Sequence, residues 1–307
     1  MAEGTARLKR DTSVLSTVSN ASLVLLKLAV GISIQSISVI AEAAHSGLDL
    51  AASAICLVSV RRATKPADEE HPFGHGKFES IGGAVEALLI LLTSGWIIYE
   101  AIRTMLAGGK MPSHPLAGVA VLAVSVIVNL FVSARVMRVA QETDSPALAG
   151  NAWHIRSDVW TSVAVLVGLL LIWLGERFDV HLLKAHLDPF LAIAVALMII
   201  RVGWELTRRN LGHLVDESLP AEEREQIQAL LAEHYPQFVS YHSLRLRKAG
   251  SERHIDLHLV MPSHLSVAEA HELCDHLEDD LRKALPSVQV LIHVEPAEAS
   301  PPTPTAT

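Results

Sequence analysis

The sequence predicts an α-helical membrane protein: six transmembrane helices followed by a C-terminal cytoplasmic α+β domain. Three observations lead there. Half of the residues are hydrophobic and only 5% are aromatic, so the apolar mass is Leu, Ile, Val and Ala, the composition of membrane helices. Six apolar runs, at about 14–34, 37–60, 81–106, 115–139, 148–174 and 187–207, are each near the roughly 20 residues a bilayer demands. From Leu214 to Pro296 the long apolar runs give way to alternating and amphipathic stretches, the pattern of a small soluble domain.

Taken in order, residues 1–12 are polar and basic, with no small-residue cleavage site after the first apolar run, and read as a cytoplasmic segment rather than a signal peptide. Residues 13–210 hold the six runs. The first two are separated only by Gln35 and Ser36, which predicts a tight helical hairpin. Residues 211–296 read α-β-β-α-β. A helix over Pro220–His234 opens on Pro and acidic residues. Strands over Phe238–Lys248 and Arg253–Met261 flank the turn Ala249-Gly250-Ser251, the second of them alternating as His254-Ile255-Asp256-Leu257-His258-Leu259. A helix over Ser266–Leu285 has Ser266 as N-cap and Glu269 at the capping-box position, and a strand over Val288–Val294 closes the domain. The Pro/Thr-rich stretch 297–307 is expected to be disordered.

Charge sets the topology. An even number of spans puts both ends on one side, and that side carries Arg7, Lys9, Arg10, Arg61, Arg62, Lys65, Lys77, Arg135, Arg138, Arg156, Arg208 and Arg209. The opposite loops carry little beyond Lys110, Arg177 and Lys184, so both termini are expected in the cytoplasm of an inner (plasma) membrane protein. The net charge of −8 argues against nucleic acid as a partner. Cys56 and Cys274 lie far apart and form no disulfide framework, which suits a reducing compartment.

Charged groups inside a spanning helix are costly, by about 2.5–3.5 kcal/mol each on insertion scales, and need a reason. The second run contains Glu42, His45 and Asp49; the fifth contains His154 and Asp158. Each His-x-x-x-Asp pair is i, i+4, so its two side chains share one helix face. Two such faces turned together offer two imidazoles and two carboxylates, a donor set that matches tetrahedral zinc. Metal needs neutral imidazole and ionised carboxylate, so the same quartet would couple metal to protons.

Two further clusters stand outside the apolar runs. Asp68, His71 and His75, with Gly74 and Gly76 allowing tight turns, read either as a zinc-binding loop or as a solvated polar loop. His242 and His258 fall in successive strands, His271 in the helix, and His293 and Glu295 at the end of the last strand; they read either as a site for one or two zinc ions or as surface groups. His234, His254, His264 and His276 are read as solvated. Lys27, Glu86 and Asn129 are read as packing or helix–helix hydrogen-bonding residues.

These residues resemble a known family, the cation diffusion facilitators: six-span zinc and iron efflux proteins with a metallochaperone-like cytoplasmic domain. The resemblance runs from about Ser13 to Pro296 and rests on AEAAHSGLDLAAS, HPFGHGKFESIGG, NAWHIRSDVWTS and LVDESLPAEER. It implies a homodimer, metal/proton antiport and no organic cofactor. It implies the transport site at His45, Asp49, His154 and Asp158, and a loop zinc site at Asp68, His71 and His75. It also implies a binuclear site at His242, His258, His271, His293 and Glu295, and an intersubunit charge interlock of Lys77 with Asp216. Two departures bear on the metal. Many bacterial members carry Asp where this chain has His45, and Glu295 stands where Asp is frequent. More nitrogen and less oxygen favours zinc over manganese or magnesium. Fe²⁺, Co²⁺ and Ni²⁺ remain alternative cargoes.

Two other classes fit less well. A membrane metalloenzyme would want His-Glu-x-x-His, but His271-Glu272 is followed by Leu273-Cys274-Asp275. A membrane-anchored metal sensor has no need of charges inside the bilayer.

Overall fold

The computed structural model describes residues 2–33, 37–106, 115–177, 187–234 and 237–297. The turn expected at Gln35 and Ser36 and the tail beyond Ala297 lie outside them. The chain divides into two compact units, Met1–Leu211 and Gly212–Thr307.

The first unit is helical: α1 (Ala2–Ser33), α2 (Ile37–Ala63), α3 (Lys77–Leu106), α4 (Pro115–Thr143), α5 (Pro146–Arg177) and α6 (Leu187–Leu214), the last running into the second unit. Each helix covers one of the six apolar runs, and α1 extends it back to Ala2. Among the described residues, three stretches are long and apolar enough to cross a membrane: Gly4–Val30, Lys77–Arg103 and Ala123–Thr143. On α3 the large side chains Ile81, Leu88, Leu92, Trp96, Tyr99 and Ile102 are exposed, while Glu86, Ala87, Ile90 and Ser94 are buried. A stripe of large apolar residues facing outward with Glu86 and Ser94 facing inward is the inverse of a water-soluble helix, and lipid is the solvent that permits it.

Glycines bring α3 against α5. A Cβ at Gly150 would lie 2.8 Å from Glu86 Cβ, and one at Gly83 would lie 2.8 Å from the Pro146 carbonyl oxygen. A second apolar layer packs Cys56 and Val60 of α2 and Val136, Val139 and Ala140 of α4 against Ala147, Leu148 and Ala152 of α5. Lys9, counted above as a topological charge, is buried, and its ammonium sits 2.8 Å from Glu79 Oε1, tying α1 to the start of α3. Lys27 donates to Ser46 Oγ at 2.7 Å, joining α1 to α2.

The second unit contains α7 (Ala221–Glu233), β1 (Ser240–Ala249), β2 (Glu252–Met261), α8 (Val267–Ala284) and β3 (Val288–Pro296), the predicted order. The sheet runs β1-β2-β3, with β1 antiparallel and β3 parallel to β2. A parallel neighbour needs a crossover, and α8 supplies it. Its predicted capping box is present: the Glu269 N–H donates to Ser266 Oγ and the Ser266 N–H to Glu269 Oε2. Ile227 and Leu231 of α7 and Cys274, Leu277 and Leu281 of α8 cover Ile255, Leu257, Leu259 and Met261, the alternate residues of β2. Arg253, with its side chain 5% exposed, clamps Glu223 of α7 through two hydrogen bonds of 2.7 and 2.8 Å and donates to the Pro286 carbonyl.

His254 corrects the sequence reading. It was expected in solvent, but β2 is the middle strand; His254 pairs with Arg247 on one side and Gln289 on the other and is only 6% exposed. His234 is also partnered, its Nε2 lying 3.1 Å from Asp280 Oδ2.

Candidate metal centres

Among the described residues, three groups of metal-ligating side chains assemble, in each of which one ligand atom per residue lies within 4.8 Å of the others. The first joins α2 and α5 through Asp49, His154 and Asp158. His154 Nε2 is 3.4 Å from Asp49 Oδ1, yet among the described residues neither ring nitrogen of His154 has a hydrogen bond, so a donor or lone pair remains available for another group. His154 is 3% exposed. The side chains of His45 and Glu42 lie outside the described residues; His45 stands one turn before Asp49 on α2, on the same face.

A polar network braces this cluster. Asn20 donates to the Asp49 carbonyl at 3.4 Å and to Ser53 Oγ at 2.5 Å. Ser53 donates to Asn151 Oδ1 at 3.2 Å, and Asn151 Nδ2 donates to Ser16 Oγ at 2.8 Å. Four buried side chains therefore fix α1, α2 and α5 around the ligands. Ser16, Ser53 and Asn151 were not singled out in the sequence. The signal was spacing: Ser53 is i+4 from Asp49 and Asn151 is i−3 from His154, both on the ligand-bearing faces.

The second group is the loop between α2 and α3. The His71 N–H donates to Asp68 Oδ1 at 2.8 Å; His71 Nδ1 lies 3.5 Å from Oδ1 and His75 Nε2 lies 3.4 Å from Oδ2. That backbone N–H, followed by the two imidazoles, holds the Asp68 carboxyl below its ordinary value of 3.8, so it is an anion throughout the neutral range. His75 Nδ1 is 3.1 Å from the Pro66 carbonyl. That carbonyl accepts from a protonated Nδ1 and leaves the Nε2 lone pair toward Asp68, the tautomer a ligand needs. Gly74, at φ 82, makes the turn between the histidines, and Gly76 lies in the turn closed by the Phe78 N–H on the His75 carbonyl at 3.0 Å.

The third group lies on the sheet of the second unit. His242 pairs with His258 across β1 and β2, and His258 with His293 across β2 and β3. A bulge after His242, with Ser243 at φ 52, bends β1 at this point. Glu295 lies 2.8 Å from His258 Nδ1, 3.4 Å from His242 Nε2 and 3.7 Å from His293 Nε2. His242, His258 and Glu295 form the compact trio, with His293 at its edge. His271 is not brought into it: it stands on α8, 3.7 Å from Asp275. Asp216 pairs with Arg247 at 3.1 Å within the second unit, and Lys77 stands at the first residue of α3.

The order of these features along the chain matches known proteins. Residues 13–215 match the cation efflux transmembrane domain, and residues 219–297 match the cytoplasmic domain of cation efflux proteins. The chain belongs to the cation diffusion facilitator family. It is therefore a membrane cation-efflux transporter, not an enzyme. An uncharacterised transporter of Synechocystis sp. is 31% identical over 295 residues, covering 96% of this chain and 92% of that one. The cation-efflux pump FieF of Pectobacterium atrosepticum is 31% identical over 266 residues, covering 87% of this chain and 85% of that one. Among solved structures, the zinc form of CzrB is 42% identical, covers 28% of this chain and 99% of that chain, and has a TM-score of 0.27.

Proposed function

We propose that this member of the family exports a divalent transition-metal cation, zinc first, from the cytoplasm in exchange for protons. All six of α1–α6 cross the inner membrane, with both termini cytoplasmic, and the transported ion is held by His45, Asp49, His154 and Asp158. The observation that carries the reading is the convergence of Asp49, His154 and Asp158 from two helices onto one point inside an apolar unit. Two carboxylates and an imidazole, with His45 one turn away, give the mixed oxygen and nitrogen donors of tetrahedral zinc. Protons compete for the same lone pairs, so a site that opens alternately to the two sides exchanges one for the other. The relatives named as cation-efflux pumps support the direction.

In this reading the loop trio Asp68, His71, His75 and the sheet group His242, His258, His293, Glu295 hold structural or regulatory zinc. Residues 211–296 join two copies into a homodimer, and Lys77 and Asp216 interlock the copies. His271, remote from the trio within one chain, is the least supported of the expected ligands.

Flux into proteoliposomes under a set pH gradient tests the reading, with zinc, cadmium, iron and manganese compared. Asp49→Ala and His154→Ala are expected to lose zinc flux and equilibrium binding. Wild-type flux in Asp49→Ala would overturn the site. Zinc flux indifferent to collapse of the pH gradient would overturn the exchange.

A further inference from the structure

Two acidic residues are buried on α3, and they differ in one respect. Glu79, 1% exposed, has the Lys9 ammonium 2.8 Å from its carboxylate. Glu86, two turns further along, is 0% exposed, and neither of its carboxylate oxygens has a hydrogen bond among the described residues. Glu86 is expected to pack or to hydrogen-bond between helices; it packs against Gly150, and the hydrogen bond is absent among the described residues. An ionised carboxylate without partners is costly inside a protein, and such a group either takes up a proton or receives a cation.

The position of Glu86 says which cation. It faces Gly150 of α5, where a Cβ would lie 2.8 Å from the Glu86 Cβ and 3.3 Å from its Cγ, so the missing side chain at 150 admits the glutamate. His154 is the next residue on that face of α5, one turn on. His154 belongs to the α2–α5 cluster with Asp49 and Asp158.

We propose that Glu86 is a further cation-binding residue of the transport path, a carboxylate on a third helix that takes hold of the divalent ion beside Asp49 and His154. This rests on the reading of the Asp49/His154/Asp158 cluster as the transport site. Glu86 adds a third carboxylate to the two of Asp49 and Asp158. It therefore widens the preference toward harder ions such as Mn²⁺, which favour carboxylate.

The test is Glu86→Gln in the full-length protein, with zinc binding at equilibrium and flux in proteoliposomes. Gln keeps the shape against Gly150 and removes the charge. The expected result is a KM and a zinc dissociation constant raised about tenfold, the order of loss seen when a supporting metal-site group is removed. Manganese flux is expected to fall relative to zinc, with an unchanged thermal midpoint. Wild-type zinc affinity in a folded Glu86→Gln would overturn the proposal. If that variant fails to fold, Glu86→Asp decides: it keeps the charge but withdraws it by one methylene. Raised KM at a normal midpoint supports the role, and wild-type affinity overturns it. Asp49→Ala run in parallel separates the two readings. Binding retained there removes the transport site itself, whereas binding lost there and kept in Glu86→Gln removes only the role of Glu86.

Discussion

At the residue scale the Asp49, His154 and Asp158 cluster is braced by side chains outside the proposed ligand set. Asn151 and Ser53 are held to each other and to α1, and Asn20 reaches the Asp49 backbone. Asn151→Ala is expected to weaken zinc binding by about tenfold while leaving all the ligands in place, because groups that orient ligands contribute about that much. Isothermal titration of the purified protein checks this, and unchanged affinity would show that the network only packs helices. His154 and Asp158 were legible in the sequence because a charge in an apolar run is conspicuous. Ser16, Ser53 and Asn151 were not, because neutral polar residues are tolerated in many helices.

At the element scale, α8 carries two measurable contributions. Ser266→Ala removes the side-chain acceptor of the first turn and is expected to destabilise the second unit by about 1 kcal/mol in a chemical melt. Asp280 accepts from Lys283 at 2.8 Å and meets His234 at 3.1 Å, and these partners, Lys283 first, hold its carboxyl below its ordinary value of 3.8. A depressed carboxylate stabilises the fold above its unfolded-state value, and that contribution is lost as pH falls through the lower folded-state value. Amide exchange in α8 should therefore be faster in Asp280→Asn than in wild type at neutral pH, and the two should converge in acid below the folded-state value. In the first unit, Gly150→Ala would force α3 and α5 apart, since the contact is with the Glu86 Cβ, which no side-chain rotation can move away. A loss of about 1–3 kcal/mol is expected, read as a lowered midpoint in a thermal melt.

At the scale of the whole molecule the prediction is parity. If α1–α6 all cross, single cysteines placed in a Cys56→Ala, Cys274→Ala background at Ala2 and in the 297–307 tail should react with an impermeant maleimide only from the cytoplasmic side. One at Lys110 should react only from the other side. Reaction of Ala2 and the tail from opposite sides would mean an odd number of crossings. The Lys and Arg distribution predicts the first result, although Lys9 contributes less than its place in the sequence suggested, because Glu79 already neutralises it.

The sequence by itself determined the six long helices and the order α-β-β-α-β, because continuous apolar runs and strict alternation are local patterns that leave few choices. It also determined the capping box at Ser266, which needs only four consecutive residues, and the His-x-x-x-Asp pairs within one helix, because i, i+4 is a fixed geometry. Contacts between elements were decided only by tertiary structure. It turned the faces of α2 and α5 together at Asp49 and His154, and it lined up His242, His258 and His293 across a mixed sheet whose register no local pattern encodes. It left His271 on α8, beside Asp275. It buried Glu86 against Gly150 with no partner of its own, since whether a charge meets a counter-charge depends on which helix lies opposite.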